Sequence, residues 1–559
     1  MDRKKRRLGW FFCGTCLLFC GLVLKLVLIQ LKESPVYSYC AFKQQAEVVP
    51  LEEHPRGGIV DRNGVSLTGE HWEKEIVLFP SLIADKEAVA AGLAAVLEVP
   101  PKKLQEQMKG KPRCLPYRLN ERQAALVRQA SWPGVAVVPV KRRYGARPMA
   151  VHVTGYLGKI DTVAEWRRLD RGEKRYHFGD SVGKAGCEYY YERLLKGTVP
   201  CAAAGLYRDA RGIPFPGLGI QVRKQADPTR ADLVLTLDAR VQRVVEEVMD
   251  RHIPQGAAVV LEAYSGDILA VASRPAFNPA AAGAGTDRAG EAFFNRAFAP
   301  YPPGSIFKIV VAAAALNEGV VRPETGFFCR GAGDSLVRCW HAAGHGKTTF
   351  TQAFAQSCNP VFARVGLALR KSRLLDYYRA FGLEERYVVG YPLPRDRRQA
   401  LTSYLRPHNL VNLSIGQGPL LLTPVQVAAV VNTILRDGVY VRPRLVKGFR
   451  RQNRVEELAR DTGRRVVSAE TARLVRGMMA EAAAAGTARR GYVEGWGSAG
   501  KTGSAEAGAD RVCAWFAGYA PLEEPRYVVV VMLEDGKSGA RDAAPVFREI
   551  AARLLGGDR

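Results

Sequence analysis

The sequence predicts an α+β protein that is held in a membrane by one amino-terminal helix. Three features support this prediction: an apolar stretch near the amino terminus, a first half in which strand and helix patterns alternate, and a second half in which strand pairs flank a series of apolar helices. The 559 residues are enough for roughly two or three domains. With 47% hydrophobic and 24% charged residues, the composition is that of a folded protein.

The apolar stretch runs from Leu8 to Leu31. At ~1.5 Å per residue a helix of this length crosses a bilayer core. Residues 3–7 are all Lys or Arg, so the positive-inside rule puts residues 1–7 in the cytoplasm and everything after Lys32 outside. The alternative is a cleaved signal peptide, but the stretch is long for one and no small-x-small site follows it. No second such stretch occurs, which predicts a single-pass anchor at residues 8–31.

The charge of the chain is strongly positive. There are 81 basic and 55 acidic residues, for a formal net charge of +26. The basic residues are scattered along the whole chain, and no basic helix with interleaved aromatics and no nucleic-acid-binding motif is present. The composition therefore argues against nucleic-acid binding and favours proximity to an anionic membrane or polymer.

Residues 32–230 carry no catalytic set and are predicted to form a scaffold of short elements. Glycine, proline and charged residues between 209 and 231 indicate a hinge between domains. The predicted elements before it are a strand–turn–strand at 56–67, mostly helix at 85–131 with a break at Pro100-Pro101, a strand at 152–160 and an amphipathic helix that opens at Gly183 and runs to Leu195.

A second domain is predicted to begin at residue 231 with a strand and a helix. Two apolar runs joined by Ser265-Gly266-Asp267 then predict a hairpin, and an Ala/Gly-rich loop follows at 276–290. The chain is predicted to end with two strands and a helix. The corresponding ranges are 231–238 for the strand, then helix through Met249, 257–263 and 268–273 for the hairpin, 513–520 and 527–533 for the last strands, and 543–555 for the last helix.

The strongest candidate for chemistry is the segment Pro303 to Leu316, in which a Pro-Gly turn leads into a long apolar helix. Ser305 and Lys308 stand three residues apart and so share a helix face. A serine hydroxyl needs a nearby base, and a buried lysine can be neutral enough to serve. Backbone N–H groups at the helix start can hold an oxyanion. Alone, S-x-x-K is a weak signal, because a capped helix start has the same pattern.

Two further triplets complete a candidate site. Ser357 and Asn359 lie in Ala-Gln-Ser-Cys-Asn-Pro between two helical stretches, where a turn can project a hydroxyl and an amide into a cleft. Lys501, Thr502 and Ser504 surround Gly503 ahead of two strands. This places a cation and two hydroxyls on an edge strand, suited to a carboxylate, and the glycine lets a substrate backbone approach closely.

Cysteines are spread through the chain and do not indicate a disulfide framework. Cys329 and Cys339 are the best local pair. With His341 and His345 they form C-x9-C-x-H-x3-H, which can hold zinc. A disulfide-closed loop and two free thiols are the alternatives.

In their order S-x-x-K, S-x-N and K-T-G-S, the three motifs resemble those of the penicillin-recognising serine acyltransferases. The wider pattern resembles a class B penicillin-binding protein, a monofunctional peptidoglycan transpeptidase. A glycosyltransferase motif and the deacylating glutamate of class A β-lactamases are not found in the sequence. The other segments that carry the resemblance are Arg56–Gly64, Gly183–Glu192 with Leu195–Gly197, Thr236–Gln242, Gly416–Gly418 with Leu422–Gln426, and Trp515–Tyr519.

The resemblance implies a transpeptidase domain at 231–559, with an antiparallel sheet, helices on both sides and an all-helical part. It implies a mixed α/β pedestal or dimerisation domain at 32–230. The implied substrates are peptidoglycan stem peptides, with β-lactams as acylating inhibitors. The implied partners are a glycosyltransferase of the cell-wall machinery and a second copy of the chain, which would pair through the pedestal. No metal or organic cofactor is needed by this chemistry.

The resemblance also implies roles for the motif residues. Ser305 attacks the penultimate D-alanine carbonyl, and Lys308 takes the proton. Ser357 relays a proton to the leaving D-alanine, and Asn359 holds the peptide amide. Lys501 supplies positive potential, while Thr502 and Ser504 bind the terminal carboxylate.

Two alternatives to the transpeptidase remain open. The first is a D,D-carboxypeptidase with water as the acceptor, against which the anchor and the pedestal argue. The second is a non-catalytic penicillin sensor or scaffold. The amino-terminal tail of only seven residues argues against a sensor, and the three intact motifs argue against a scaffold. A compact chain of this class is compatible with work in elongation, septation or the spore cortex.

Overall fold

The fold was taken from a computed structural model and is α+β, as the sequence predicts. The structure describes residues 2–30, 34–172, 175–209, 211–215, 217–282, 290–384, 387–392, 407–451, 454–506, 508 and 511–557. Leu31, the last residue of the expected membrane span, lies outside these ranges, as do residues 283–289 of the expected loop.

The first element is the long helix α1 (Asp2–Leu28). Residues 3–28 are long and apolar enough to cross a membrane, and nothing in the described structure covers them. Large apolar side chains therefore point outward, with Trp10 at 79% and Phe11 at 76% exposure. Such exposure is consistent with a single-pass membrane anchor.

The pedestal that follows is built from three small sheets and short helices. The strand orders are β1-β8-β9, β4-β3-β5 and β6-β7. Apolar residues of β3 and of the helices α3, α4 and α5 form a separate core. The helices are α2 (Ser34–Gln45), α3 (Lys86–Leu97), α4 (Pro101–Gln107), α5 (Glu121–Ala130), α6 (Val151–Thr154), α7 (Val163–Asp170), α8 (Gly186–Tyr190) and α9 (Glu192–Leu195), and the strands are β1 (Ala46–Pro50), β2 (Ile59–Val60), β3 (His71–Leu78), β4 (Arg113–Cys114), β5 (Val135–Arg142), β6 (Leu157–Lys159), β7 (Ser181–Gly183), β8 (Ala202–Tyr207) and β9 (Gln221–Lys224).

Three predictions for the pedestal were wrong in detail. The expected strand 152–160 is a helical turn followed by β6, because Gly155, at φ +85°, ends α6 before the strand begins. The expected helix to Leu195 is broken into α8 and α9 at Tyr191 (φ −108°). The expected hinge at 209–231 contains β9, which pairs with β8 and so belongs to a pedestal sheet.

The carboxy-terminal half contains the main sheet. Its five strands are all antiparallel, in the order β12-β11-β21-β20-β19. Their inward positions are Ala, Val, Leu and Phe, and β20 and β21 are buried along almost their whole length. The strands are β10 (Asp232–Leu235), β11 (Gly256–Glu262), β12 (Ile268–Arg274), β13 (Gly326–Cys329), β14 (Gly346–Thr349), β15 (Val439–Tyr440), β16 (Val446–Arg451), β17 (Arg454–Glu457), β18 (Arg464–Arg465), β19 (Ala499–Glu506), β20 (Val512–Ala520) and β21 (Tyr527–Leu533).

Helices cover the main sheet, and a helical subdomain stands beside it. The helices α10 and α19 pack against each other and against the sheet, while α17 and α18 contact its strands and link them to α12 and α13, which in turn contact α14. The site described below lies between the sheet and this helical part. The helices are α10 (Ala239–His252), α11 (Pro279–Ala282), α12 (Lys308–Asn317), α13 (Phe350–Ala355), α14 (Asn359–Leu369), α15 (Lys371–Ala380), α16 (Pro407–Ser414), α17 (Pro424–Leu435), α18 (Ala469–Ala484) and α19 (Ala544–Gly556).

The pedestal and the carboxy-terminal half are joined by the Arg56–Gly64 segment. Strand β2 pairs in parallel with β10, in a sheet that also holds β16 and β17. The carboxylate of Asp61 accepts hydrogen bonds from the amides of Asn63 and Val65 in its own turn and from Ala239 at the start of α10, at 2.8–2.9 Å. The turn that the sequence predicts here therefore also caps a helix of the next domain.

Candidate active site

Ser305 lies on a tight turn at the base of a buried helix. Gly304–Phe307 form a single 3-10 turn that runs directly into α12. In a 3-10 turn, residues i and i+3 are eclipsed, so Ser305 and Lys308 occupy the same face, as the sequence predicts. Ser305 is partly exposed, whereas Lys308 is completely buried.

The Lys308 ammonium group binds the S-x-N turn. Its Nζ donates to the carbonyl oxygen of Ser357 at 2.8 Å and lies 3.3 Å from the Ser357 hydroxyl oxygen. It also donates to Asn359 Oδ1 at 2.7 Å. Lys308 thus brings together the first two motifs, which are 49 and 51 residues apart in sequence.

Burial makes Lys308 a competent base. Desolvation lowers its pKa from 10.5 to about 7, and the thiols of Cys358 and Cys339 oppose this shift only weakly. In the part of the chain that the structure describes, no ion pair reaches the Lys308 amine. A substantial fraction of the amine is therefore neutral near pH 7 and can accept a proton.

The S-x-N motif occupies the turn that the sequence predicts between two helices, here α13 and α14. Ser357 is almost fully buried and has φ +56°, a left-handed conformation that is unusual for a residue other than glycine. Such strain persists where the surrounding structure over-determines the backbone, and it is concentrated at functional sites. The strained turn directs both the hydroxyl and the carbonyl of Ser357 at Lys308.

The K-T-G-S motif lies on β19, the edge strand of the main sheet. A Cβ on Gly503 would come within 2.7 Å of the Pro303 carbonyl oxygen, and one on Gly304 would lie 2.6 Å from the Ser504 carbonyl oxygen. Only glycine at both positions allows the strand and the nucleophile turn to approach this closely. The third motif is thereby placed against the first.

The side chains of this strand have distinct surroundings. Lys501 is completely buried; desolvation first, and the charge of Lys308 second, hold its pKa well below the usual value. Its Nζ donates to the Thr502 carbonyl oxygen at 3.1 Å. The Thr502 hydroxyl shares a 2.9 Å hydrogen bond with Thr487, and the Ser504 hydroxyl accepts one from the Gly539 amide at 3.1 Å.

The sequence did not predict two contacts that support the site. The Gly304 amide donates to the carbonyl oxygen of Gly416 at 3.0 Å, so the Gly416–Gly418 segment buttresses the nucleophile turn. Thr487, the partner of Thr502, carried no sequence signal, because its role depends on a contact between a loop and an edge strand.

The structure changes the expected metal set. Ligand atoms of Cys329, Cys339, His345 and Cys358 all lie within 4.8 Å of one another, and His341 is not in this group. Cys358, remote in sequence, reaches the cluster from the S-x-N turn and takes the place that was predicted for His341. Cys329 and Cys339 are free thiols here, without the disulfide that was one alternative.

The cluster has the chemistry of a zinc site. Three thiols and one imidazole form a Cys3His set, and a tetrahedral zinc with Zn–S bonds of ~2.3 Å would separate its ligand atoms by roughly 3.8 Å. Cys339 Sγ already lies 3.5 Å from His345 Nδ1. A hydrogen bond from Cys358 lowers the pKa of the Cys339 thiol, which favours the thiolate that metals bind.

Comparison with known proteins agrees with this architecture. Residues 256–552 match the penicillin-binding protein transpeptidase domain, and residues 51–202 match the penicillin-binding protein dimerisation domain. The chain therefore belongs to the penicillin-binding protein transpeptidase family, and the dimerisation domain that precedes its transpeptidase domain places it in class B of that family.

Several relatives resemble the chain over most of its length. It is 28% identical to stage V sporulation protein D of Bacillus subtilis, over 89% of this chain and 77% of the relative. It is 26% identical to the peptidoglycan D,D-transpeptidase MrdA of Haemophilus influenzae, over 96% and 90%. With the peptidoglycan D,D-transpeptidase PbpA of Mycolicibacterium smegmatis it shares 33% identity, over 59% and 73%.

Two solved structures are also similar. One, described as showing structural coordination of polymerization and crosslinking by a peptidoglycan synthase complex, superposes with a TM-score of 0.71 at 25% identity and covers 98% of both chains. The other is the D,D-transpeptidase domain of a peptidoglycan glycosyltransferase from Eggerthella lenta. Its TM-score is 0.54 at 26% identity, with coverage of 64% of this chain and 96% of that one.

Proposed function

We propose that this chain is a peptidoglycan D,D-transpeptidase that forms cross-links between stem peptides through an acyl-enzyme on Ser305. The observation that carries the proposal is the assembly of the three distant motifs at one place: buried Lys308, whose pKa of about 7 suits a general base, holds the S-x-N turn, and the K-T-G-S strand packs against the nucleophile turn. The transpeptidase relatives and the matched domains support the same reaction class.

In the first half-reaction the Ser305 oxygen attacks the carbonyl carbon of the penultimate D-alanine, and neutral Lys308 takes the hydroxyl proton. Backbone N–H groups of Ser305 and Ser504 hold the resulting oxyanion. The peptide C–N bond then breaks, and the departing D-alanine amine receives a proton through the Ser357 hydroxyl, which lies 3.3 Å from the Lys308 nitrogen. The product is an ester between Ser305 and the shortened stem peptide.

In the second half-reaction an amine of a neighbouring stem peptide attacks the ester carbonyl. Lys308 accepts the proton of the amine, and the Ser305 oxygen leaves and is reprotonated. A new amide, the cross-link, replaces the ester, so no net proton is consumed.

The remaining motif residues bind substrate in this proposal. Asn359 holds the amide of the donor peptide. Thr502 and Ser504 bind the terminal carboxylate, and the Ser504 hydroxyl keeps its proton to donate because its oxygen is the acceptor from Gly539. Burial, and after it the charge of Lys308, hold the pKa of Lys501 well below its usual value, and a bound carboxylate favours its charged form.

The location and partners follow from the same proposal. Basic residues 3–7, at the start of α1, support a cytoplasmic amino terminus and a catalytic domain outside. The similarity to a chain of a peptidoglycan synthase complex supports a glycosyltransferase partner. Acylation by β-lactams and pairing of two copies through the pedestal complete the proposal.

The test is covalent labelling with a fluorescent penicillin, read by gel and intact mass. Wild type is expected to form a stable adduct, and Ser305→Ala none. Thr487→Ser, which keeps the neighbouring hydroxyl, serves as a folded control that still labels. A labelled Ser305→Ala protein would refute the nucleophile assignment.

Analysis of the reaction products distinguishes the transpeptidase from the carboxypeptidase and from a non-catalytic protein. With lipid-linked glycan strands and a glycosyltransferase, cross-linked stem dimers are expected. Free shortened stems alone would show a D,D-carboxypeptidase, and neither product from a penicillin-labelled protein would favour a sensor or scaffold.

We also propose that Cys329, Cys339, His345 and Cys358 hold a structural zinc ion beside the S-x-N turn. Zinc would fix the loop that carries Cys339 to the turn that carries Cys358, and it takes no part in the acyl transfer. Purified full-length protein is expected to contain one zinc per chain by mass spectrometry of the native protein. Cys358→Ser should lose it and His341→Ala should keep it; the opposite pattern would restore the set predicted from sequence.

A further inference from the structure

The four residues that precede Ser305 form a stiff segment of the chain. Residues 301–304 read Tyr-Pro-Pro-Gly. The ring of each proline fixes its own φ, and a residue that precedes a proline is restricted as well, so three of the four positions have little freedom. The Tyr301 amide donates to the Leu422 carbonyl oxygen at 2.9 Å, and the Leu422 amide donates back to Tyr301 at 2.8 Å. A shift at Tyr301 is therefore passed on to Ser305.

This 301–304 segment contacts three neighbouring strands of the main sheet in turn. Gly304, at one end, packs closely on β19. The carbonyl oxygen of Pro302 accepts a hydrogen bond of 3.0 Å from the indole Nε1 of Trp515 on β20. At the other end, the Tyr301 hydroxyl donates to the carboxylate of Glu534, the residue that follows β21. Since β21, β20 and β19 are adjacent in the sheet, each strand holds one point of the segment that carries the nucleophile.

Both carboxylate oxygens of Glu534 have a partner. Its Oε1 accepts the hydrogen bond from Tyr301, and its Oε2 lies 3.1 Å from Nε of Arg296, which is only 3% exposed. Burial first, and the Glu534 carboxylate after it, raise the pKa of the Tyr301 hydroxyl, which therefore keeps its proton to donate. A hydrogen bond to an ionised acceptor is roughly twice as strong as one between neutral groups. With both oxygens engaged, the carboxylate is suited to anchor Tyr301 and not to act as a base.

We propose that Glu534 is a positioning residue for the acyl transfer, which acts through Tyr301 to hold Ser305 in register with the Ser504 amide. The inference rests on the proposed role of Ser305 as the nucleophile. An oxyanion must lie about 2.7–3.1 Å from its donors, and a misplacement of about 1 Å can slow a reaction about 100-fold. Ser305 attacks in the first half-reaction and leaves in the second. Loss of the contact between Tyr301 and Glu534 is therefore expected to slow both.

The experiment follows acylation of the full-length protein by a fluorescent penicillin in stopped flow. Several penicillin concentrations separate the dissociation constant from the acylation rate constant. Tyr301→Phe and Glu534→Ala are each expected to lower the rate constant at least tenfold and to change the dissociation constant by less than twofold. Glu534→Gln keeps an acceptor for Tyr301 but loses the charge, so its rate constant should fall between theirs and that of wild type. The double variant should be no slower than the slower single one, because both changes remove the same contact.

Tyr377→Phe is the matched control. The Tyr377 hydroxyl, on α15, donates to Glu318 Oε1 at 2.8 Å, so this change also removes one hydrogen bond between a tyrosine and a glutamate. Its rate constant is expected to stay within twofold of wild type. Melting temperatures show that each variant is folded. Glu534→Gln, which keeps the size of the side chain, carries the test if Tyr301→Phe or Glu534→Ala melts more than a few degrees below wild type.

Three results would overturn the positioning role of Glu534. The first is a Tyr301→Phe protein that acylates as fast as wild type, and the second is an equal loss in Tyr377→Phe. The third is a Glu534→Gln protein that acylates normally but releases the penicillin adduct more slowly, which would make Glu534 a base for hydrolysis. A wild-type protein that forms no adduct would instead refute the proposed nucleophile, and the positioning role with it.

Discussion

Replacing Asn359 by aspartate puts the proposed base to a direct test. The Lys308 nitrogen lies 2.7 Å from Asn359 Oδ1, and burial lowers its pKa to about 7. Asn359→Asp places a carboxylate at this distance without changing the size of the side chain. An opposite charge this close favours the ammonium form and shifts such a pKa upward by about 1–3 units. Acylation needs the neutral amine, so the acid limb of the pH–rate profile for acylation is expected to move to higher pH by the same amount.

The expected magnitude follows from the fraction of neutral amine. With a pKa of about 7, wild type has roughly half of its Lys308 neutral at pH 7 and about a tenth at pH 6. Its second-order acylation rate should therefore rise roughly tenfold from pH 6 to its plateau. In Asn359→Asp, protonation alone should lower the rate at pH 7 by about 5-fold for a one-unit shift and about 500-fold for a three-unit shift.

The assay is the pH dependence of acylation by a fluorescent penicillin, followed by stopped flow between pH 5.5 and 9.5. Asn359→Ala is the control, because it removes the amide without adding charge. It should lower the rate at every pH and leave the midpoint close to that of wild type. If the two variants share one midpoint, Lys308 is not the base and its contacts with the S-x-N turn are only structural.

Two further predictions concern close packing and buried charge. Gly503→Ala should lower the acylation rate at least tenfold, because the new Cβ would lie 2.7 Å from the Pro303 carbonyl oxygen and push the strand away from the nucleophile turn. An unchanged acylation rate in a variant whose melting temperature is within a few degrees of wild type would contradict this. Glu188→Gln should destabilise the pedestal by about 3–5 kcal/mol, since buried Arg56 and Arg143 both pair with this carboxylate. Urea unfolding followed by hydrogen exchange of pedestal peptides measures it, and a loss under 1 kcal/mol would refute the reasoning.

The sequence predicted the elements whose signals are local. A helical stretch was expected before the S-x-N turn, and α13 is there, because an apolar segment follows a Thr that caps it. Strand β21 was likewise expected at its observed bounds, because an unbroken run of valines favours a buried strand. The expected strand at 152–160 failed because β-branched residues also occupy the short helix α6, whose limits are set by Gly155 and not by propensity.

The candidate site was predictable in its residue types but not in its contacts. Spacing alone placed Ser305 beside Lys308, since both belong to one turn. The link between Lys308 and Asn359, and that between Thr502 and Thr487, join segments far apart in the chain and depend on how helices pack on the sheet. The same limit explains the metal cluster, in which the nearby His341 was expected and the distant Cys358 is found.

The arrangement around Lys308 trades stability for reactivity. A buried amine is most stable when it is charged and paired with a carboxylate, yet the groups that meet this one are a carbonyl, a hydroxyl and an amide oxygen. These accept its hydrogen bonds without holding its charge, so desolvation can lower the pKa. Asn359→Asp would supply the missing charge and is therefore expected to raise the melting temperature while it slows acylation at pH 7. A variant that is both less stable and slower would mean that the asparagine serves packing, and that the low pKa of Lys308 has another origin.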